Sequence, residues 1–141
     1  MQGGFLQAER KKLFCHCLSQ YFRWNRLFKA CISPKDITCI TNGQETGRCY
    51  VFEGFMDYLS FEPAFPLWPK GDCLVLNSVS NLPKAFPFLS RYDDIYSCLD
   101  NDTAGNNTMM AMKEKYGGHV HDLSQEYAGY KDLNEYLCRK R

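Results

Sequence analysis

The sequence predicts an α/β fold in which helices flank a mainly parallel central sheet of about four strands. Short runs of β-forming residues alternate with helix-like segments along the chain, a pattern that is typical of parallel βα units. The 141 residues are enough for one domain with a single core. In such a sheet ligands bind beyond the carboxyl ends of the strands, so polar residues at those ends are the first candidates for a site.

The first two β-rich runs predict an antiparallel hairpin strand at the edge of the sheet. Residues 37–40 and 48–52 flank the turn signal Asn42-Gly43. The connection is longer than two residues, so the turn is not of the shortest hairpin type.

The remaining elements are predicted from apolar runs and from the positions of glycine and proline. A helix that begins at residue 55 is stopped by the prolines at 63, 66 and 69, because proline ends a helix. In chain order, the other predicted elements are a strand at 73–77, a helix near 84–91, a strand at 95–99, a helix at 108–116, a short strand at 119–123 and a helix at 133–139.

Two aspartates follow directly on the predicted strand at 95–99. Asp100 and Asp102 are two residues apart, so their side chains project to the same side of an extended backbone. Two carboxylates about 4 Å apart repel each other by about 4 kcal/mol at an effective dielectric of 20, and a bound cation removes this repulsion. Oxygen ligands favour Mg²⁺ or Mn²⁺. The alternative is an acidic turn that caps the following helix, and the pair alone leaves both interpretations open.

A third carboxylate favours the metal interpretation. Glu53 ends the predicted strand at 48–52. If this strand and the strand before Asp100 are parallel and central, all three acids meet at one edge of the sheet. These motifs contain no Lys or Arg that could compensate three negative charges. Three carboxylates therefore need a divalent metal more than a pair of carboxylates does.

The N-terminal arm, residues 1–36, is predicted to be basic and aromatic. Residues 1–48 carry a net charge of +5, whereas the rest of the chain carries −4. Arg23, Arg26 and Lys29 alternate with aromatic rings and are candidate contacts to single-stranded nucleic acid through charge and stacking. The alternative is an amphipathic helix that covers the sheet with its charges in solvent.

The eight cysteines do not predict a disulfide scaffold. Cys73, Cys98 and Cys138 lie in apolar runs, where cysteine behaves as a small hydrophobic residue. The Cys-His-Cys stretch at 15–17 is too tightly spaced for a zinc site. The sequence shows no signal peptide and no run of eighteen apolar residues. We therefore expect a reducing, cytoplasmic location and no membrane partner.

Three short motifs follow one another along the chain. They are Glu-Gly-Phe-Met-Asp at 53–57, Asp-Asn-Asp-Thr-Ala-Gly at 100–105 and Lys-Asp-Leu-Asn-Glu-Tyr-Leu at 131–137. Together they resemble the Toprim domain of bacterial primases, topoisomerases and some nucleases, over roughly residues 37 to 140. The likeness is closest to the primase-like Toprim proteins carried on mobile genetic elements. It implies that residues 37–141 form a Toprim domain.

The resemblance implies roles for the acids. Glu53 would act as general acid or base or as a metal ligand, and Asp100 and Asp102 would hold Mg²⁺ (or Mn²⁺). Asp57 lies one helical turn after Glu53 and is a supporting acid, or else only favours the helix dipole in the first turn. Asp132 matches the first acid of the third primase motif and is the other supporting acid.

Four more residues bear on the site. Asn134 replaces the second acid of the third primase motif, and a neutral amide binds metal more weakly than a carboxylate. Ser78, Ser80 and Lys131 are candidate contacts to phosphate or nucleic acid. The alternatives are a polar loop for the two serines and a solvated side chain for the lysine.

The resemblance implies a Mg²⁺-dependent catalytic module that synthesises primers by nucleotidyl transfer, with a single-stranded DNA template and NTPs. Two alternatives stay open: a Toprim nuclease that cleaves phosphodiesters, and a non-catalytic module that binds nucleic acid or a partner. No zinc module precedes the domain, and little sequence lies before Glu53. We therefore expect either a fragment or a short protein that works with other replication or mobilisation proteins, such as a helicase.

Overall fold

The computed structural model describes residues 36–43 and 45–139 of the chain. In this part of the chain five strands form one sheet in the order β1-β3-β2-β4-β5, and all neighbours are parallel except β1 and β3. This arrangement confirms the predicted α/β fold with a mainly parallel sheet and an antiparallel edge strand. The strands are β1 (Thr38–Ile40), β2 (Arg48–Phe52), β3 (Asp72–Val75), β4 (Asp94–Cys98) and β5 (Val120–Asp122).

The predicted hairpin pairing is wrong. Strand β1 pairs with β3, where Thr38 lies opposite Val75, and it does not pair with β2. Both edges of β2 are already used by its parallel neighbours β3 and β4. The free edge of β3 is therefore the place where the edge strand can form its ladder.

Four α-helices occur in the described part of the chain, and none of them is long and apolar enough to cross a membrane. Helix α3 begins five residues earlier than predicted, because Asp102 caps it. Helix α1 takes Pro63 into its last turn. The helices are α1 (Phe55–Ala64), α2 (Leu82–Leu89), α3 (Thr103–Tyr116) and α4 (Leu133–Arg139), and short 3-10 helices lie at Val79–Asn81, Gly117–His119 and Ser124–Tyr127.

The sheet is covered on both faces, because successive residues of β2 point to opposite sides. Val51 packs into one cluster with residues of α2 and α3, such as Leu89 and Met112. Phe52 packs into the other cluster with residues of α1 and α4, such as Leu137. Helices α1 and α4 therefore lie on the same face of the sheet.

The carboxyl ends of β2, β3 and β4 share one edge of the sheet, which we call the carboxyl edge. Because β1 runs the other way, the described chain also begins at this edge. The Asn77 side chain, two residues after β3, donates a hydrogen bond to the main-chain oxygen of Asp36 at 2.6 Å.

A close backbone approach fixes the turn between β4 and α3. The N–H of Gly105 donates a hydrogen bond to Asp102 Oδ1 at 2.7 Å. A Cβ at Gly105 would collide with the main-chain oxygen of Asp100 and would lie 3.0 Å from its carbonyl carbon. Only glycine lets the helix begin directly against Asp100.

We predict that Gly105→Ala lowers the free energy of unfolding by about 2–3 kcal/mol, because the new methyl group can be accommodated only if the backbone moves. The measurement is urea unfolding followed by circular dichroism. Gly118→Ala is the control, since nothing lies within 4 Å of a Cβ at Gly118, and we expect a change of no more than about 0.5 kcal/mol. Equal stability of the two variants would contradict the close approach.

Candidate metal centre

Three aspartates from distant parts of the sequence meet at the carboxyl edge. Asp57 lies in the first turn of α1, Asp100 follows β4, and Asp132 precedes α4. One carboxylate oxygen from each lies within 4.8 Å of the other two. We call these three residues the acidic triad. At this separation each pair of charges repels by roughly 3–4 kcal/mol at an effective dielectric of 20.

Asp57 is the most deeply buried acid of the triad, with 7% of its surface exposed. Burial raises the pKa of this carboxyl to about 8, and the charges of Asp132 and Asp100 act in the same direction. Its Oδ1 accepts a hydrogen bond from the main-chain N–H of Asn134 at 3.1 Å, which lowers the pKa only in part. Without a cation, this side chain is protonated near neutral pH.

Asp100 and Asp132 complete the triad. The pKa of Asp100 is raised to about 7, mainly by burial and next by the negative charges of Glu53 and Asp132. The positive charge of Lys131 lowers it in part. Asp132 Oδ1 accepts a hydrogen bond from the N–H of Glu135 at 2.7 Å and so caps α4. The carboxylate of Asp132 is thus held by its own helix.

Glu53 follows β2 and lies beside the triad, because β2 and β4 are neighbours in the sheet. The main chain of Asp100 acts on its carboxylate and lowers the pKa of Glu53 in part. Burial raises the pKa of Glu53, and the charge of Asp102 adds to the shift. Its Oε2 is buried and has no hydrogen-bond partner among residues 36–43 and 45–139. A buried carboxylate oxygen without a partner is costly, so a proton or a cation is needed there.

The sequence left two interpretations of Asp102 open, a metal ligand or a helix cap, and the structure shows the capping contact. Its Oδ1 accepts from Gly105, so the side chain forms the N-cap of α3. It does not belong to the acidic triad, but its charge contributes to the raised pKa values of Glu53 and Asp100. It therefore lies within electrostatic range of the centre.

The donor set has the chemistry of a hard-cation site. Asp57, Asp100, Asp132 and the free oxygen of Glu53 offer only oxygen atoms, with no thiolate or imidazole among them. Mg²⁺ and Mn²⁺ prefer such ligands. The residues present therefore fit the divalent cation expected from the sequence.

The other predicted site residues lie around this centre or outside the described residues. Ser78 and Ser80 follow β3 at the carboxyl edge, and their hydroxyl oxygens are 2.8 Å apart. Lys131 is exposed, and its charge acts on both Asp100 and Glu53. Three residues of the N-terminal arm, Arg23, Arg26 and Lys29, lie outside the described residues.

Asn134 contacts α1 beside the triad. Its main-chain N–H supports Asp57, while its side-chain oxygen lies 3.1 Å from Ser60 Oγ on α1. The residue therefore joins α4 to α1. The sequence motif showed a missing acid, whereas the structure shows a contact between helices at this position.

Asn101 is a residue near the centre that the sequence analysis did not single out. Its side-chain nitrogen lies within hydrogen-bond distance of the main-chain oxygens of Ser124, Tyr127 and Tyr130. The only signal in the sequence is an amide between two acids at the end of a strand. That signal does not reveal which backbone groups the amide contacts.

Comparisons with known proteins identify a family. The sequence profile of the Toprim-like family matches residues 50–137, which is more than half of the chain. No curated protein matches the chain significantly. Among solved structures, the chain is similar to the crystal structure of the primase fragment of the bacteriophage T7 primase-helicase protein, with 20% sequence identity and a TM-score of 0.49. That match covers 62% of this chain and only 37% of the other.

We predict that the metal-free protein becomes less stable as the pH rises from 6 to 8.5. The pKa values of Asp57 and Asp100 are raised in the folded state, so folding takes up protons, and its stability falls as these carboxyls ionise. Thermal melts in EDTA measure the effect. Asp57→Asn should be less sensitive to pH and more stable than wild type at pH 8.5.

Glu114→Gln is the control for this experiment, because Glu114 is an exposed acid on α3. It should keep the pH dependence of wild type. The same slope in the Asp57 and Glu114 variants would show that the triad does not bear the proposed repulsion.

Proposed function

The chain belongs to the Toprim-like family, and on this premise we propose that it is the Mg²⁺-dependent catalytic module of a primase-like protein. The proposed reaction is nucleotidyl transfer during primer synthesis on a DNA template. The main support is the convergence of three aspartates, whose oxygens lie within 4.8 Å of one another, beside Glu53. The three motifs that resemble those of bacterial primases support this reaction over others performed by the fold.

We propose that Asp100 is a ligand of the cation, with Asp57 and Asp132 completing the acidic triad. Asp102 uses one oxygen to cap α3 and keeps the other for the metal expected from its motif. Mn²⁺ would serve in place of Mg²⁺, since both prefer oxygen ligands. When bound, the cation would offset the negative charge of phosphate oxygens.

Glu53 is the proposed general base or acid. Its raised pKa and its buried, unpartnered oxygen suit a carboxylate that accepts a proton from an attacking hydroxyl and gives one up later. Lys131 is the exposed cation near the acids and is proposed to contact substrate phosphates. Ser78 and Ser80 offer hydroxyl donors at the same edge for nucleic acid.

The proposed partners are single-stranded DNA and NTPs. Strand β1 brings the start of the described chain, Asp36, to the carboxyl edge, so the basic arm joins the domain on the side of the acids. This attachment supports a role for Arg23, Arg26 and Lys29 in holding the template. The proposal also includes a cytoplasmic location in a mobile element's replication or mobilisation system, together with proteins such as a helicase.

We predict that millimolar Mg²⁺ raises the melting temperature of the wild-type chain, because a ligand that binds only the folded state stabilises it by about 2.7 kcal/mol at 100 times its Kd. Asp100→Asn should abolish this response, whereas Glu114→Gln should keep it. With template, NTPs and Mg²⁺, wild type and its natural partners should form primers, and Asp100→Ala with Asp102→Ala should form none.

The results of these assays separate the candidate functions. Undiminished primer synthesis by the double variant would reject the proposed site. DNA degradation with Mg²⁺ and without NTPs would identify a nuclease. Salt-sensitive DNA binding with no Mg²⁺-linked stabilisation would identify a non-catalytic module.

We predict that replacing Arg23, Arg26 and Lys29 with alanine weakens binding to single-stranded DNA. Each lost phosphate contact reduces the slope of log affinity against log salt by about 0.7, so the slope should fall by about 2. Fluorescence anisotropy at several salt concentrations measures both quantities. The control removes the same charge elsewhere through Lys70, Lys113 and Lys115, and an equal effect in the control would argue against a specific role for the arm.

A further inference from the structure

The side chain of Asn101 links the end of β4 to the loop that carries Asp132. Its Nδ2 lies 3.0 Å from the main-chain oxygen of Tyr130, 3.2 Å from that of Tyr127 and 3.4 Å from that of Ser124. The amide has two protons for three acceptors, so at least one proton is shared. Because all three partners are acceptors, the nitrogen of the amide must face the loop.

The main chain of Asn101 adds a contact next to the triad. Its N–H donates a hydrogen bond to the main-chain oxygen of Lys131 at 2.7 Å. Asp132 is the next residue. One residue therefore binds the segment from Ser124 to Lys131 through four carbonyl groups, and it lies directly between Asp100 and Asp102 in the sequence.

Two other contacts between this loop and the end of β4 are made by residues farther from Asp132 along the chain. The N–H of Leu123 donates to the main-chain oxygen of Ser97 at 2.9 Å, and the Tyr127 hydroxyl donates to the main-chain oxygen of Leu99 at 2.6 Å. These contacts fix the beginning and middle of the loop. Asn101 is the residue that extends the attachment to its end.

This attachment opposes a specific force. The carboxylates of the acidic triad repel one another, and Asp132 lies where this loop meets the first turn of α4 rather than at the end of a strand. Without a restraint, repulsion would favour a loop position with Asp132 farther from Asp100. If Asp132 is already held in place before the cation binds, less conformational entropy is lost on binding, and the affinity is higher.

We propose that Asn101 is a positioning residue that holds Lys131 and Asp132 against Asp100 and Asp57, and that it thereby increases the affinity of the acidic triad for a divalent cation. The part of this inference that concerns the cation rests on the proposed function. The part that concerns the loop is independent of it. Asn101 acts through Asp132 and is not itself a metal ligand.

The first experiment tests the loop without metal. Asn101→Leu removes the three side-chain hydrogen bonds and keeps a side chain of similar size. Asn101→Ser is measured as a second, smaller and polar variant, so the test can still be made if the leucine variant does not fold. Hydrogen exchange in EDTA should show at least tenfold faster exchange at the amides of Asn134 and Glu135, which bond to Asp57 and Asp132. Val120→Ala is the control, because Val120 is buried in the cluster on the other face of the sheet.

The second experiment measures Mn²⁺ affinity by electron paramagnetic resonance. Loss of a residue that orients a metal ligand typically weakens binding 10–100-fold, and we expect this for Asn101→Leu but not for Val120→Ala. In the background of Asp132→Asn, the Asn101 change should cause little further loss, because its effect passes through Asp132. A merely structural role would give the same loss in both backgrounds.

The outcomes separate the two proposals. If wild type binds Mn²⁺ and the Asn101 variants bind it equally well, the positioning role is overturned while the proposed site stands. If wild type binds no Mn²⁺, the proposed function and the cation part of this inference both fail, and hydrogen exchange alone decides whether Asn101 holds the loop. Unchanged exchange in the variants would overturn that part too.

Discussion

Mutual repulsion of carboxylates at the carboxyl edge is the constraint on which the rest of the structure depends. Three oxygens from Asp57, Asp100 and Asp132 lie within 4.8 Å of one another, and nothing in their own chemistry favours this closeness. The fold must supply the restraint. The sheet fixes Asp100, the main chain of Asn134 holds Asp57, and Asn101 holds the loop before Asp132. The contacts of Asn101 join it to main-chain oxygens and do not involve the acids, whereas the bond from Asn134 ends on the Asp57 carboxylate and favours its charged form.

The repulsion can be relieved in two ways, and these are in competition. Protons relieve it when no cation is present, as the raised pKa values of Asp57 and Asp100 indicate. A divalent cation relieves it by replacing those protons, so binding should release protons and become tighter as the pH rises. Glu53 has a separate place in this balance, since its buried Oε2 lacks a partner in the described part of the chain.

Much of the fold, and the sheet edge at which the candidate site lies, could be predicted from the sequence, because they follow from local rules. Apolar runs predicted the buried strands, and the rule for parallel sheets predicted that Glu53 and Asp100 share an edge. The partner of β1 could not be predicted, since it depends on which sheet edge stays free. The closeness of Asp57 and Asp132 depends on how α1 and α4 pack on one face. The contacts of Asn101 depend on a loop more than twenty residues away.

The close approach at Gly105 also bears on how copies of this domain would diverge. Backbone geometry requires the glycine, because a Cβ would strike the carbonyl group of Asp100 whether or not the protein is active. The proposed metal chemistry requires the carboxylate of Asp100, which the turn itself does not need. A descendant without the proposed catalytic role would therefore be free to change the acid long before it could change the glycine. In such a lineage a conserved glycine would indicate only common descent, whereas a conserved acid would indicate that the proposed activity is retained.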